Sequence, residues 1–199
     1  GEEVDVRLVP FGGTKLRIAQ FPVIGEPARP SGWTERYDGE FAMTWWTYRG
    51  ALARPGTLRL PFGSKAVASR PVPDDLRAEV RVTVNGGGDA GPMVRVSAAS
   101  LGPDDFRGYY AGLDPAGKRV LLGRWDDRFV LLGSAVYAGG PSATIALDAT
   151  GDRIRVSVDG ETVLDVRDGT YGTGAVGLRA FAGDATFGEL TVAASRSAA

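Results

Sequence analysis

The chain has 199 residues, a length that suits one all-β domain of ordinary size with a small extension. Its 23 Lys and Arg residues are interspersed with 24 Asp and Glu residues, and the net charge of −1 offers no basic surface for nucleic acid or an anionic membrane. Because the chain contains neither Cys nor His, nucleophiles, bases and zinc sites built from those side chains are excluded. No apolar run approaches the roughly 20 residues of a membrane span.

The N-terminal residues 1–25 are predicted to form a β-hairpin that stands apart from the rest. The stretch EVDVRLVPFGGTKLRIAQFPVIG reads as one strand, a Gly-Gly turn and a second strand. A predicted linker over residues 26–39 follows and begins with EPARPSG. Since an isolated two-stranded hairpin is marginal in water, we expect it to end an upstream domain, to pack on the main domain, or to pair with a second copy in a homodimer.

Residues 40–193 are predicted to form an all-β domain, followed by a frayed tail at 194–199. The 29 glycines, 12 prolines and many short alternating runs indicate a succession of strands and turns. DDLRAEVRVTV alternates apolar and polar side chains, and RIRVSVDGETVLDV places Asp159 and Gly160 at a type I′ hairpin turn. Two antiparallel sheets packed as a jelly-roll sandwich suit this pattern, and a closed barrel is the alternative.

WWTYRG, at residues 45–50, places two tryptophans side by side. Consecutive strand residues face opposite ways, so one indole belongs to the core and the other is exposed. We expect Trp46 to be structural, and the role of Trp45 stays open.

The stretch FRGYYAGLDPAGKRVLLGRWDDRFVLLG, residues 106–133, predicts three strands with glycines in their interiors. If the turn DPAG sets Leu113 opposite Lys118, one face carries a glycine floor with Tyr110 and Trp125 as walls and Arg119 nearby. The same register sets Arg107 opposite Arg124, a like-charge pair that Asp105 or Asp126 would neutralise. A one-residue slip would exchange the two faces.

This aromatic face has the character of a sugar-binding surface, because sugar rings present apolar C–H patches bordered by polar hydroxyls. GPMVRVSA predicts Arg95 on the solvent side, and GAVGLRAF does the same for Arg179. The candidate sugar-binding residues are Tyr110, Trp125, Arg119, Arg95, Arg179, Glu79 and Arg81. The alternative is that the charged side chains form a solvated ladder and that Tyr110 and Trp125 cover a minor core under a loop.

Acidic residues suggest neither catalysis nor a well-defined metal site. The adjacent pairs Asp74-Asp75, Asp104-Asp105 and Asp126-Asp127 fall at predicted turns, whereas glycosidase carboxylates face each other across a cleft. A structural Ca²⁺ at a sheet edge remains an option, with Asp38, Glu40 and Asp184 as its candidate ligands. No Asp-rich calcium loop supports it, and no other cofactor is expected.

Two family resemblances emerge from these motifs. VRLVPFGGTKLRIAQFPVIG resembles the closing strands of the catalytic part of bacterial β-L-arabinofuranosidase-like glycoside hydrolases. WWTYRG, AGPMVRVS, RGYYAGLD and GAVGLRAFAGDATFGELTV are similar to concanavalin A-like and laminin-G-like jelly-roll modules, most of all the levan-binding type of carbohydrate-binding module and the 3-keto-disaccharide-hydrolase-like sandwiches. The resemblance implies a catalytic domain in cis, followed by an accessory module that lacks the catalytic machinery.

The sequence therefore predicts a non-catalytic carbohydrate-binding module of a secreted or cell-surface bacterial glycoside hydrolase. It would bind terminal or side-chain sugars of an oligo- or polysaccharide. One alternative is a structural or dimerisation domain that packs on the catalytic domain without a ligand. A free-standing sandwich enzyme is disfavoured, because His is absent and the carboxylates are poorly placed.

Overall fold

The computed structural model describes residues 32–38 and 41–195. The predicted hairpin at 1–25, residues 26–31 and 39 of the predicted linker and residues 196–199 of the predicted tail lie outside the described residues. The strands in chain order are β1 (Trp33–Glu35), β2 (Trp45–Tyr48), β3 (Leu52–Arg54), β4 (Thr57–Leu60), β5 (Ser64–Ala68), β6 (Leu76–Asn85), β7 (Asp89–Ser97), β8 (Arg107–Asp114), β9 (Arg119–Trp125), β10 (Phe129–Val136), β11 (Ser142–Thr150), β12 (Arg153–Val158), β13 (Glu161–Arg167), β14 (Ala175–Phe181) and β15 (Asp184–Ala194). A short helix, α1, spans Phe41–Thr44.

The strands form two antiparallel sheets, which confirms the predicted two-sheet sandwich. Sheet A has the order β13-β12-β11-β6-β15-β4-β3, and β1 pairs with β15 beside it. Sheet B has the order β10-β9-β8-β7-β14-β5-β2. No helix in the described part of the chain is long and apolar enough to cross a membrane.

The main core lies between the inner faces of the two sheets. β6 illustrates the cause, because its apolar side chains alternate with polar ones and every second residue is buried. The predicted turn at Asp159 and Gly160 joins β12 to β13, and both residues have positive φ, at 48° and 92°. A type I′ turn requires that conformation. The buried residues of β6 are Leu76, Ala78, Val80, Val82 and Val84.

The β8–β9 register differs from the predicted one by two residues, since Leu113 pairs with Val120 and not with Lys118. A two-residue shift leaves every side chain on its predicted face. Arg124 consequently lies opposite Tyr109, so the expected arginine pair is wrong. Arg107 instead lies 3.6 Å from Asp126, measured from Nε to Oδ1.

The expectation that Trp46 is the structural tryptophan of β2 is wrong, and Trp45, whose role was left open, is the buried one. Trp45 is buried and stacks on Phe41 with ring centroids 5.5 Å apart, and its indole N–H donates to Glu35. Trp46 points out of sheet B and is 36% exposed. Strand alternation predicts that one of the two indole rings is buried. Trp45 is the buried one, because its indole N–H has an acceptor in Glu35 on β1.

Candidate functional site

The outer faces of the two sheets differ in chemical character. Sheet B exposes large apolar side chains from three of its strands. Sheet A is covered by charged residues in ion pairs, such as Arg155 with Asp148 and Arg77 with Glu79. Exposed apolar patches rimmed by polar groups are typical of surfaces that contact a ligand or another protein. The exposed apolar residues of sheet B are Trp46, Phe129, Leu131, Val136 and Phe181.

A second, minor core occupies the middle of this outer face. It lies beneath the loop of residues 98–105 that joins β7 to β8, and it consists of Val67, Met93, Val96, Phe106, Tyr110 and Leu121. Tyr110 is completely buried in it, whereas Trp125 packs at its margin and remains partly exposed. Tyr110 therefore belongs to a minor core under a loop, which was the alternative interpretation of the sequence.

The expected open glycine floor is wrong, because neighbouring rings cover the glycines. A Cβ on Gly123 would lie 2.0 Å from the ring of Phe129. A Cβ on Gly112 would lie 3.0 Å from the hydroxyl oxygen of Tyr110. The glycines thus make room for aromatic rings of this chain and do not form an open platform for a ligand.

Arg179 stands at the centre of the rings on this face. Its guanidinium carbon lies 4.6 Å from the ring centroid of Phe181, 4.9 Å from Tyr110 and 5.3 Å from Trp125. The side chain is almost fully buried and donates a hydrogen bond to Asp104 in the 98–105 loop. A planar guanidinium suits both contacts, since it stacks on aromatic faces and pairs with carboxylates.

A row of polar side chains crosses four strands beside Arg179. Arg119 pairs with Asp114 across β9 and β8, and Phe181 pairs with Asp89 across β14 and β7. Because Ala90 lies opposite Leu113, Asp89 and Asp114 are cross-strand neighbours. Arg119 Nε donates to Asp114 over 2.9 Å, and the Arg119 side chain is half exposed. We call Asp89, Asp104, Asp114, Arg119 and Arg179 the polar cluster.

Asp89 has the most perturbed environment of the polar cluster. Burial raises the pKa of its carboxyl group, and the charge of Asp114 acts in the same direction. The hydrogen bond from the Tyr110 hydroxyl and the charges of Arg179 and Arg119 oppose that rise. Perturbed carboxyl groups of this kind, next to arginines and aromatic rings, are typical of sites that bind ligands.

The structure brings together four of the seven predicted site residues. Tyr110, Trp125, Arg119 and Arg179 share the outer face of sheet B. Glu79 and Arg81 lie on β6 in sheet A, so they belong to the opposite side of the molecule.

Arg95 does not reach the outer face of sheet B, because β7 contains a bulge there. Its φ is +53°, and the register between β7 and β14 shifts at this point. The buried guanidinium donates to the backbone oxygens of Asp74, Gly151 and Tyr171 and to the carboxylate of Asp75. The expectation that Arg95 projects to solvent is therefore wrong, and its contacts are those of a structural clamp.

Sequence reasoning missed Asp89, Asp104, Asp114, Phe129 and Phe181 as members of this surface. Asp89 stands in VNGGGDAG, where the glycines suggested a loop, yet β7 begins at Asp89 itself. The signal that was available is the alternation of β7, which places Asp89, Gly91 and Met93 on one side of the strand.

The candidate calcium ligands can be followed only in part, since Asp38 and Asp184 belong to the described residues and Glu40 does not. Asp184 accepts hydrogen bonds from Arg59 and from the backbone N–H of Phe62, and Glu40 lies outside the described residues. No group of three potential metal ligands occurs among residues 32–38 and 41–195. A calcium site at Asp38, Glu40 and Asp184 therefore stays a prediction.

Comparisons with known proteins identify the fold. No family model and no curated protein matches the sequence. Among solved structures, the carbohydrate-binding module CBM66 from Bacillus subtilis is 20% identical, covers 75% of this chain and 95% of its own, and has a TM-score of 0.61. The exoplasmic/lumenal domain of VIP36, in a form bound to Ca²⁺ and mannose, is 14% identical over 85% of this chain and 91% of its own, with a TM-score of 0.63.

An enzyme shares the same architecture. A prokaryotic β-1,3-1,4-glucanase (lichenase) derived from a mouse hindgut metagenome is 13% identical, covers 83% of this chain and 100% of its own, and has a TM-score of 0.60. At these identities the likeness establishes the fold, a sandwich found in carbohydrate-binding modules, lectins and glycosidases, and the function has to be argued from the site.

Proposed function

We propose that this chain is a non-catalytic carbohydrate-binding module and that the outer face of sheet B holds its site. The observation that carries the proposal is the row from Arg119 through Asp114 and Asp89 to Phe181, which joins hydrogen-bonding groups to an exposed ring on one face. A sugar ring requires both, because its C–H patch stacks on an aromatic ring while its hydroxyls bind carboxylates and guanidinium groups. The sandwich fold supports the proposal.

The ligand we propose is a terminal or side-chain sugar of a polysaccharide. The 98–105 loop borders the polar cluster, where Asp104 pairs with Arg179. A loop on one border favours a short ligand over a long chain laid across the sheet. A single unit in such a site makes few hydrogen bonds, and we expect a Kd of about micromolar or weaker.

The proposed context is a bacterial glycoside hydrolase that is secreted or displayed at the cell surface. The resemblance of residues 1–25 to the end of a β-L-arabinofuranosidase-like catalytic domain supports this context. The module would then hold the catalytic domain in cis close to its substrate.

The acidic residues support a non-catalytic reading. The adjacent pairs have structural partners in the described chain, since Asp75 accepts from Arg95, Asp104 from Arg179, and Asp126 lies by Arg107. In the polar cluster, Asp114 is held by Arg119 and by the backbone N–H of Gly117. A carboxylate fixed in this way is poorly suited to take up and release a proton.

A glycan panel read by calorimetry and tryptophan fluorescence tests the proposal. It should contain L-arabinose-bearing oligosaccharides, fructans and galactans. Phe181→Ala and Arg119→Ala each remove an exposed contact and are expected to weaken binding by about tenfold. Leu52→Ala and Arg81→Ala, exposed positions of sheet A, are the matched controls and should leave affinity unchanged. Binding that survives both site variants would move the site off this face.

A structural role without a ligand is the second candidate, and edge strand β10 favours it. β10 has no charged side chain, and Leu131 and Val136 are 54% and 89% exposed. Natural edge strands usually carry charges that prevent pairing with another chain. Absence of binding to every glycan, together with a concentration-dependent dimer in sedimentation, would support this candidate over the sugar-binding module.

A further inference from the structure

The 98–105 loop covers the outer face of sheet B and borders the polar cluster. Within the loop, the N–H of Ser100 donates to the carbonyl of Asp105. Gly102 has a φ of +151°, and a Cβ there would lie 2.4 Å from the carboxylate of Asp105. The loop thus has a defined shape of its own.

Lys65, on β5, lies directly beneath the loop and is fully buried. Its Nζ donates to the carbonyl oxygen of Gly102 over 2.5 Å and to that of Asp105 over 2.6 Å. The ammonium also lies 5.5 to 5.9 Å from the ring centroids of Phe106, Trp46 and Tyr48. A cation is therefore enclosed between a loop backbone and three aromatic rings.

These contacts are unusual for a buried lysine. Among the described residues, no carboxylate lies within ion-pair distance of Nζ, and both acceptors are backbone carbonyls. A buried charge without an ion-pair partner is costly, and an apolar side chain would pack against the rings at lower cost. What the ε-amino group provides in either protonation state, and an apolar side chain does not, is two N–H donors for the loop carbonyls.

The loop that Lys65 attaches also carries Asp104, which accepts a hydrogen bond from Arg179. Arg179 in turn lies against the ring of Phe181 and 3.8 Å from the carboxylate of Asp89, measured from Nη1 to Oδ1. A continuous series of contacts therefore leads from the lysine through the loop to the polar cluster.

We propose that Lys65 is the positioning residue of the candidate sugar-binding site: it latches the 98–105 loop as a lid, and the latched loop holds Arg179 and its neighbours in the arrangement that receives the ligand. This inference rests on the proposed function for the ligand, but the latch itself is measurable without any glycan. When the loop opens, Arg179 loses its partner Asp104 and the border of the polar cluster is lost.

The latch has a pH dependence whose sign follows from burial. The charged and titratable groups that face Lys65 are Asp104 and Asp105 from the loop, Arg179 from β14 and Tyr48 from β2. With the loop closed, burial lowers the pKa of Lys65 from 10.5 to about 8. An open loop would restore the ordinary pKa, so the open form binds more protons between these two values. Raising the pH through this interval therefore shifts the equilibrium toward the closed loop.

Hydrogen exchange of the loop amides, corrected for intrinsic rates, tests the latch. Lys65→Met removes both hydrogen bonds while keeping an apolar stem, and we expect exchange in residues 98–105 to become about tenfold faster or more. Lys118→Met removes an exposed lysine from the β8–β9 turn and is the matched control, with loop exchange equal to wild type. Loop exchange in Lys65→Met that equals wild type would overturn the proposal.

Two further readouts separate the possible failures. In wild type, loop protection should rise between the closed-loop pKa of about 8 and the ordinary pKa of 10.5. This measurement does not depend on a variant that folds, and a flat profile over the interval would overturn the latch. If wild type binds a glycan, Lys65→Met should bind it more weakly, and equal affinity with a loosened loop would overturn the positioning role. If wild type binds no glycan while the loop results are as expected, the latch stands and only the proposed function fails.

Discussion

Asp89 combines a buried carboxyl group with neighbours that pull its ionisation in opposite directions. Burial disfavours the anion, while the Tyr110 hydroxyl and Arg179 favour it, and the net result is a raised pKa. A carboxyl group whose pKa is higher in the folded state stabilises the fold at pH values below its unfolded pKa of 3.8. That contribution is lost as the pH rises through the folded pKa.

Asp89→Asn should therefore change the pH dependence of stability in a defined direction. The free energy of unfolding of wild type, minus that of the variant, is expected to be largest below about pH 4 and to fall as the pH rises toward neutrality. Urea denaturation at a series of pH values measures this difference. Asp127→Asn, at an exposed turn, is the control, and a wild-type advantage that grows with pH would contradict the assignment.

For individual residues, the sequence predicted which face of a sheet a side chain lies on better than it predicted what surrounds that side chain. Tyr110 and Trp125 lie on the predicted side of sheet B, because alternation needs only the strand and its phase. The local pattern left open whether a loop covers Tyr110, because the 98–105 loop contacts Lys65, which lies 37 positions from Gly102 and 40 from Asp105 in the chain. Long-range contacts of this kind decide whether an aromatic ring is exposed and can stack on a ligand or is buried in a core.

The β7 bulge is the element that most changed the predicted site. The sequence MVRVS alternates without interruption, so its pattern carries no sign of an irregular residue. In the structure Val94 faces the main core and Val96 the minor core, although a regular strand would place both on one side. Gly174 makes the bulge possible, since a Cβ there would lie 2.4 Å from the carbonyl carbon of Arg95.

The bulge also gives Arg95 its role, which mutation can separate from ligand binding. Arg95→Met removes four hydrogen bonds that join three separate backbone segments, and it leaves Asp75 without its buried partner. We expect the free energy of unfolding to fall by about 2–4 kcal/mol, measured by urea denaturation. Arg81→Met, on the solvated face of sheet A, should cost less than about 0.5 kcal/mol. Equal losses in the two variants would refute the clamp.

Across the whole molecule, the topology places the last strand of the chain in the interior of sheet A. β15 pairs with β6 along its full length and with β4 and β1 on the other side. Composition and alternation predicted the sandwich, because they report that each strand has one apolar face. They did not predict strand order, since any strand with an apolar face satisfies that pattern and only the packed chain selects its neighbours.

The position of β15 predicts that the domain folds only when the chain is nearly complete. A chain that ends at Ala182 would leave the edges of β6 and β4 unpaired and would lack the buried side chains of Phe187 and Leu190. Because these contacts join distant parts of the sequence, local structure formed earlier has no substitute for them. We expect the truncated chain to show no cooperative thermal transition in circular dichroism, whereas the intact chain shows one. A cooperative transition in the truncated chain would mean that sheet B and the rest of sheet A are stable on their own, and β15 would then be an added strand and not the closing one.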